Sequence, residues 1–346
     1  MSTVSRATLK RVTPQLVILA AVLLLNLVVF PDFFRIEFQN GRLFGNLIDV
    51  FNRGAPTALL CIGMTLVIAT KGIDLSVGAV MAIAGAVAAS LVVDGHAWQV
   101  ALIGALAVGV ICGVWNGILV AVLRIQPIVA TLVLMVAGRG IAQLVTEGTI
   151  LTFVDAGLNH LGAGTIIGIP TPIVIWICLG LAITAIVRGT ALGMLIEAIG
   201  INESSSRLAG VNSRVLIVSV YLISGFCAAL AGVIVAADIK GADANNAGLW
   251  LELDAILAVV IGGNSLLGGR FSIIASLIGA LIIQSVNSVI LLSGMPPEFN
   301  LIIKALIIIA ILMIQSPTVK HALYILRASA EPPVSKPTTE AKESTS

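Results

Sequence analysis

The chain has 346 residues, 58% of them hydrophobic and 10% charged, against roughly 25% charged in an ordinary soluble domain. With a mean hydropathy of +1.11, that composition excludes a water-soluble globule and leaves the bilayer as solvent for most of the chain. A net charge of +2 leaves no electrostatic footprint for nucleic acid. The cysteines Cys61, Cys112, Cys178 and Cys227 lie singly in apolar segments, far from any histidine, so they read as small hydrophobes and not as metal ligands.

The apolar runs are long and continuous and do not alternate with a period of two. The expected class is therefore all-α, a polytopic membrane helix bundle of about ten transmembrane helices. Residues 1–13 carry Arg6, Lys10 and Arg11 and form an N-terminal tail before the first span, Pro14–Phe30. No small-x-small cleavage site follows Phe30, so this span is expected to stay uncleaved. Residues 31–53 mix charges with aromatics, as an interfacial segment would.

The second span, Gly54–Thr70, runs into Lys71-Gly72-Ile73-Asp74-Leu75-Ser76-Val77-Gly78. Two glycines around a carboxylate fit either an ordinary charged turn or a break at membrane depth. Spans three to six follow as Leu75–Val93, Ala97–Leu123, Pro127–Thr146 and Pro170–Val187, with a Gly-, Thr- and Asn-bearing loop at 147–169. The stretch Arg188–Arg214 is the long polar interruption at the centre of the chain. Span seven is Val215–Ala237, then a polar turn, Asp238–Gly248, leads into span eight, Leu251–Ile261. The glycine-rich turn Gly262–Arg270 precedes span nine, Phe271–Leu292, and span ten is Phe299–Ile314. The expected organisation is thus a tail at 1–13, a membrane domain at 14–315 with its central loop at 188–214, and a Pro-, Ser-, Thr- and Lys-rich tail at 316–346, read as disordered.

Ten spans put both ends on one side. With that side cytoplasmic, the inner loops and tails hold thirteen lysines and arginines and the outer loops four, Arg35, Arg42, Arg53 and Lys240. This is the bias of a membrane protein with both termini in the cytoplasm. Small residues recur at four-residue spacing on span three (Gly78, Ala82, Ala86, Ser90), span four (Gly109, Gly113, Gly117) and span seven (Ser224, Ala228, Gly232, Ala236). Such stripes let helix backbones approach in lipid, so these faces are expected to point inward.

Within the central loop, Asn202 can cap a short helix, Glu203 and Arg207 lie four apart on one face of it, and Gly210 can supply a left-handed stop. A solvated connector and a docking helix both fit these residues. Polar groups beside apolar spans give a second set of candidates: Asp74, the Asn264-Ser265 turn, and the cations Arg139 and Lys304 within spans five and ten. Intramembrane charges point to function by default, yet the charge tally puts the Asp74 and Asn264 turns near the cytoplasmic surface, where capping spans three and nine is an equal alternative to gating. The chain has no GxxxxGK[ST], HExxH or GxSxG motif. Any energised work must draw on a partner.

Three stretches carry a resemblance. Glu197-Ala198-Ile199-Gly200 with Asn202-Glu203 and Ala209-Gly210 looks like the cytoplasmic coupling loop of ATP-binding-cassette importer permeases. Gly72–Gly78 resembles a G-I-D-L-S-V-G signature, and Leu251–Ile256 continuing to Gly262–Arg270 resembles an E-L-D-A-I…G-G-x-S-L-x-G-G-R block. Together they are similar to the permeases of bacterial monosaccharide importers of the ribose, xylose and galactofuranose type, and 236–254 most resembles the galactofuranose branch. Lys71 departs from that pattern, which has glycine there, and Ser204–Ser206 replace common alanines.

The resemblance implies a permease subunit moving sugar by alternating access, with Glu197, Ala198, Gly200, Asn202, Glu203, Arg207 and Gly210 as its ATPase-coupling loop. It implies as partners an ABC ATPase subunit, a second permease (a paralogue or a second copy), a periplasmic sugar-binding protein and membrane lipid. ATP with magnesium would sit on the ATPase, and this chain would bind no cofactor. The rival from another class is a self-contained secondary transporter. It would need a carboxylate site at mid-membrane, for which the sequence offers no good candidate.

Overall fold

The computed structural model describes residues 3–315 apart from 40, 295 and 297, so the tail expected at 316–346 lies outside the described residues. The chain falls into two units, Met1–Gly294 and Met295–Ser346.

The first unit opens with α1 (Thr3–Val29), which runs unbroken through Pro14 and so begins well before the first apolar run. Where the sequence shows only a mixed interfacial stretch, the chain makes a 3-10 turn at Pro31–Phe34, the hairpin β1 (Glu37–Gln39) and β2 (Arg42–Phe44), and α2 (Asn46–Arg53). Helix α2 meets α3 (Ala55–Ala69) at a 42° bend. Next come α4 (Val77–Val93), α5 (Trp98–Ala121) and α6 (Pro127–Val145). The loop expected at 147–169 contains β3 (Leu151–Thr152), α7 (Ala156–Ala163), β4 (Thr165–Ile166) and β5 (Ile169–Pro170). Asp155 begins α7 by accepting from Leu158 N at 2.7 Å, an N-cap. Helix α8 (Thr171–Gly189) leads to α9 (Leu192–Ile201) and α10 (Glu203–Leu208), and α11 (Ser213–Ile239) to β6 (Gly241–Ala242), α12 (Leu251–Ile261) and α13 (Ile273–Leu292). In the second unit, α14 is Phe299–Gln315. The strands form three antiparallel pairs, β1 with β2, β3 with β6 and β4 with β5.

All ten expected spans are therefore helical, but they are not equivalent. Among the described residues six helices are long and apolar enough to cross a membrane, or seven if α2 and α3 count as one bent span. The eighth span has the expected bounds, and the 11 residues of α12 reach about 16 Å at 1.5 Å per residue, half of a hydrocarbon core roughly 30 Å thick.

Helix α11 is the central post and packs on α5, α3 and α4. The small-residue stripes explain how. A Cβ on Gly109 would run into Ala229 and the Gly225 carbonyl, one on Gly113 into the Tyr221 carbonyl, and one on Gly117 would lie 2.8 Å from Val218 Cα. On α4, the Met81 backbone lies against Gly232 in the same way. These contacts bring backbones together where hydrophobicity alone cannot, because lipid is as apolar as leucine. The opposite faces carry large exposed apolar groups, Ile103 and Ile111 on α5 and Val136 and Leu144 on α6, as lipid-facing surfaces require.

Candidate functional site

The stretch 188–214 is not polar throughout. Its first half is the apolar α9, which buries Gly193, Ile196, Ile199 and Gly200. The sequence reading missed this helix because Arg188, Glu197 and Asn202 frame it with polarity. Glu197 pairs with Arg188 at 3.6 Å, and Arg188 also donates to the Phe271 carbonyl, while Ala198 is half-buried beside it.

Gly200 sits where no side chain fits: a Cβ there would overlap the Ala69 carbonyl and lie 2.5 Å from Gly269 N. Gly269 N in turn donates to the Ala69 carbonyl at 2.9 Å, and Lys71 Nζ donates to the Ile201 carbonyl at 3.0 Å. The end of α9 is thereby clamped to both glycine-bearing turns, 70–76 and 262–270.

Helix α10 stands out from this clamp. Asn202 Oδ1 accepts from Ser205 N at 3.0 Å, so Asn202 is the N-cap that its position suggests. Glu203 accepts from Ser213 Oγ at 2.9 Å and thus ties the start of α10 to α11. Gly210 follows with φ +87° and open space around it, the left-handed stop expected from the sequence. Asn202, Glu203, Arg207 and Gly210 are all exposed.

In the turn at 262–270, Asn264 is buried. Its Nδ2 donates to the Val259 carbonyl at 3.1 Å and to Ser276 Oγ at 2.8 Å, and its Oδ1 accepts from Ser272 N at 2.7 Å. It fastens the end of α12 to the start of α13. Ser265 is exposed, with its Oγ accepting from Leu267 N at 3.1 Å.

Asp74 lies deeper than the charge tally places it. Its carboxylate accepts from Ser76 N at 3.1 Å and Ser76 Oγ at 2.6 Å on one oxygen, and from Ser224 Oγ at 2.8 Å on the other. Asn116 Nδ2 adds a bond to Ser76 Oγ at 2.8 Å. Ser224 is roughly 16 Å along the 27-residue α11 from Ser213, and it packs against Gly63 in the middle of α3. The chain therefore leaves α3 near α9, turns back through the non-helical segment 70–76, and starts α4 level with the middle of α3. The sequence could not show this, since Ser224 is 150 residues away.

A second break meets the first. Gly78, in the opening turn of α4, lies against the Gly248 carbonyl, and a Cβ on it would stand 2.6 Å from Glu252 Oε2 at the start of α12. The segment 241–250 reaches α4 as a run of turns, in which Gly241, Ala242, Ala244 and Gly248 are buried while Asn245 and Asn246 are exposed. Arg139 of α6 serves it: Nη1 donates to the Ala244 carbonyl at 3.1 Å and the Ala247 carbonyl at 2.6 Å. Asp243 folds the same segment, accepting from Asn245 N, Asn246 N and Asn246 Nδ2. Those bonds, the Asn246 side chain first, hold its carboxyl below the ordinary aspartate value.

Glu252 and Asp254, 7% and 4% exposed, were not singled out by sequence reasoning. With Asp74 they are three buried carboxylates beside apolar helices. Their signal was the acidic first turn of an apolar helix, which looks like an ordinary surface cap. Lys304 lies on α14, half-buried in the second unit. The candidate site thus consists of the exposed α10, the end of α9 clamped to the turns at 70–76 and 262–270, and the buried carboxylates Asp74, Glu252 and Asp254.

A family model described as branched-chain amino acid transport system / permease component matches residues 46–312, which covers both breaks and α9–α10. The chain belongs to this permease family. This permease is 58% identical over 303 residues to the galactofuranose transporter permease protein YtfT of Escherichia coli, covering 88% of this chain and 89% of the relative. It is also 41% identical over 296 residues to the fructose import permease protein FruF of Bifidobacterium longum, covering 84% and 83%. The ribose import permease protein RbsC of Escherichia coli is 39% identical over 293 residues, covering 83% and 88%. No solved structure matches the chain. The chain is therefore a multi-pass permease subunit of a transport system.

Proposed function

We propose that this permease is the translocating subunit of an ATP-driven importer in a bacterial inner membrane, with galactofuranose or a related monosaccharide as cargo. The observation that carries the reading is its 58% identity, across 88% of its length, to a galactofuranose transporter permease. In this reading α10 and its flanks, Glu197, Ala198, Gly200, Asn202, Glu203, Arg207 and Gly210, receive a separate ATPase that binds ATP with magnesium. A second permease and a periplasmic sugar-binding protein complete the complex. Sidedness is part of the proposal. Gln15, midway along α1 and at the start of its apolar run, donates to the Gly262 carbonyl, which favours a cytoplasmic N-terminus on the side of the lysine and arginine excess.

Among the translocation candidates, Asp74 is the one we place beside the path, at the junction of the two breaks. Asn264 and Arg139 we read as braces, because their hydrogen-bonding groups are spent on backbone and hydroxyl partners. Ser265 and Lys304 stay as candidates at the rim and on α14.

Affinity purification from the native membrane, followed by transport in vesicles, tests the reading. Co-purification of an ATPase, and sugar uptake that needs both ATP and a binding protein, is the expected result. Uptake by the chain alone, driven by an ion gradient, would overturn it and assign Asp74, Glu252 and Asp254 to ion coupling.

A further inference from the structure

The region of α10 holds a cavity that shares Glu203 and Arg207 with the proposed ATPase contact and extends beyond them into the bundle. This cavity of about 400 Å³ opens between α10, the turn after α3 and the turn between α5 and α6, within the roughly 300–1,000 Å³ of small-molecule sites. Its lining includes Lys71, Arg124, Arg207, Glu203 and Tyr221. The balance is three cations to one carboxylate. Glu203 accepts from Ser213, and neither Arg124 nor Arg207 has an ion-pair partner within 4 Å among the described residues.

Two further observations indicate that the cavity is built for an anion. Tyr221 is 0% exposed, lines this cavity, and its Oη has no hydrogen-bond partner among the described residues. A buried phenol without a partner is costly, and a bound acceptor in the cavity would satisfy it. In addition, Lys71 and Arg124 both adopt left-handed backbone, with φ +64° and +55°. Glycine would hold that conformation without strain, so the chain keeps a long cation on strained backbone at two separate turns of one cavity. Strain of this kind concentrates at ligand sites.

We propose that this cavity binds a phosphate-bearing anion, either a soluble phosphate ester or the headgroup of an anionic phospholipid. Arg124 and Arg207 would supply planar, bidentate donors suited to phosphate, Tyr221 its O–H, and Lys71 the donors not used on the Ile201 carbonyl. The bound phosphate ties α10 to the turns after α3 and α5, so it restrains any movement of α10 relative to the bundle. This inference concerns binding by the chain itself and does not depend on the cargo or on the ATPase.

The test uses the full-length chain in nanodiscs of phosphatidylcholine, titrated with radiolabelled inorganic phosphate. The expected result is one saturable site per chain, weakened about tenfold by Arg124→Gln or Arg207→Gln and unchanged by the remote control Arg35→Gln. Lys71→Gly relieves the backbone, so it should weaken binding while leaving the melting temperature at or above that of the parent, which separates loss of the site from loss of the fold. A parallel arm in nanodiscs containing phosphatidylglycerol identifies the source. If native mass spectrometry finds that lipid retained by the parent chain and lost from the Arg124 and Arg207 variants, with no soluble phosphate bound, the site is a headgroup site. If neither anion binds saturably, or binding is equal in all variants, the proposal is overturned.

Discussion

The bond between Ser224 and Asp74 joins the broken entry to α4 with the central helix, and its strength can be worked out from its surroundings. Both residues are enclosed, 1% and 2% exposed, and the Ser224 hydroxyl is the partner of one carboxylate oxygen at 2.8 Å while both Ser76 donors go to the other. A hydrogen bond to a charged group contributes about 1.5–3 kcal/mol, and a neutral one about 0.5–1.5 kcal/mol. Ser224→Ala should therefore cost roughly 2–3 kcal/mol in the parent chain and roughly 1 kcal/mol in the Asp74→Asn background. The double-mutant coupling is then about 1.5 kcal/mol. Reversible unfolding of the four chains in mixed lipid–detergent micelles, followed by circular dichroism, measures it. Coupling below about 0.5 kcal/mol would show that the carboxyl is neutral or hydrated, and would refute the account of Asp74 as an enclosed charge held by hydroxyls.

Arg139→Met should leave the Ala244 and Ala247 carbonyls without their donor, and hydrogen exchange across 241–250 should speed by about tenfold or more, for a loss of roughly 1.5–3 kcal/mol. Gly200→Ala forces a methyl onto the Ala69 carbonyl and should separate α9 from the turns at 70–76 and 262–270, read as faster proteolysis of α9–α10 with α11 intact. Gly210→Val places a β-branched residue at φ +87°, strained by roughly 1–3 kcal/mol. Under the proposed function it should lower transport by an assembled complex, and undiminished transport would remove the loop from the mechanism. For Asp243, the folded pKa is depressed, so its contribution to the order of 241–250 is present above the ordinary aspartate pKa and fades as pH falls through the lower folded value. Asn246→Ala should raise that pKa, as a carboxyl titration followed by NMR would show.

Much of the fold was legible because hydropathy reports directly on which residues can live in lipid. The ten apolar runs became ten helices, and Asn202 and Gly210 bounded α10 because a cap and a left-handed stop are local chemistry. Depth was not legible. Asp74 looks like a surface turn until Ser224, Asn116 and Gly63 are seen around it, and those partners come from three other helices. The same gap hid the burial of Glu252 and Asp254, since an acidic first turn on an apolar helix reads alike whether it is a surface cap or packed against α4. Helix α9 was missed for the opposite reason: the charges at its ends hid an apolar middle. The small-residue stripes were legible as inward faces, but which helices they joined needed coordinates.

The separation of 150 residues between Asp74 and Ser224 also bears on biogenesis. At roughly 5–20 residues per second of synthesis, α4 enters the membrane some 8–30 s before α11 exists. During that interval the Asp74 carboxyl has Ser76 but not Ser224, and it must stay hydrated or protonated at the insertion machinery. The nascent first half therefore has reason to linger there until the central helix arrives, and late release of α4 from the translocon, timed to the synthesis of α11, is the behaviour this architecture demands.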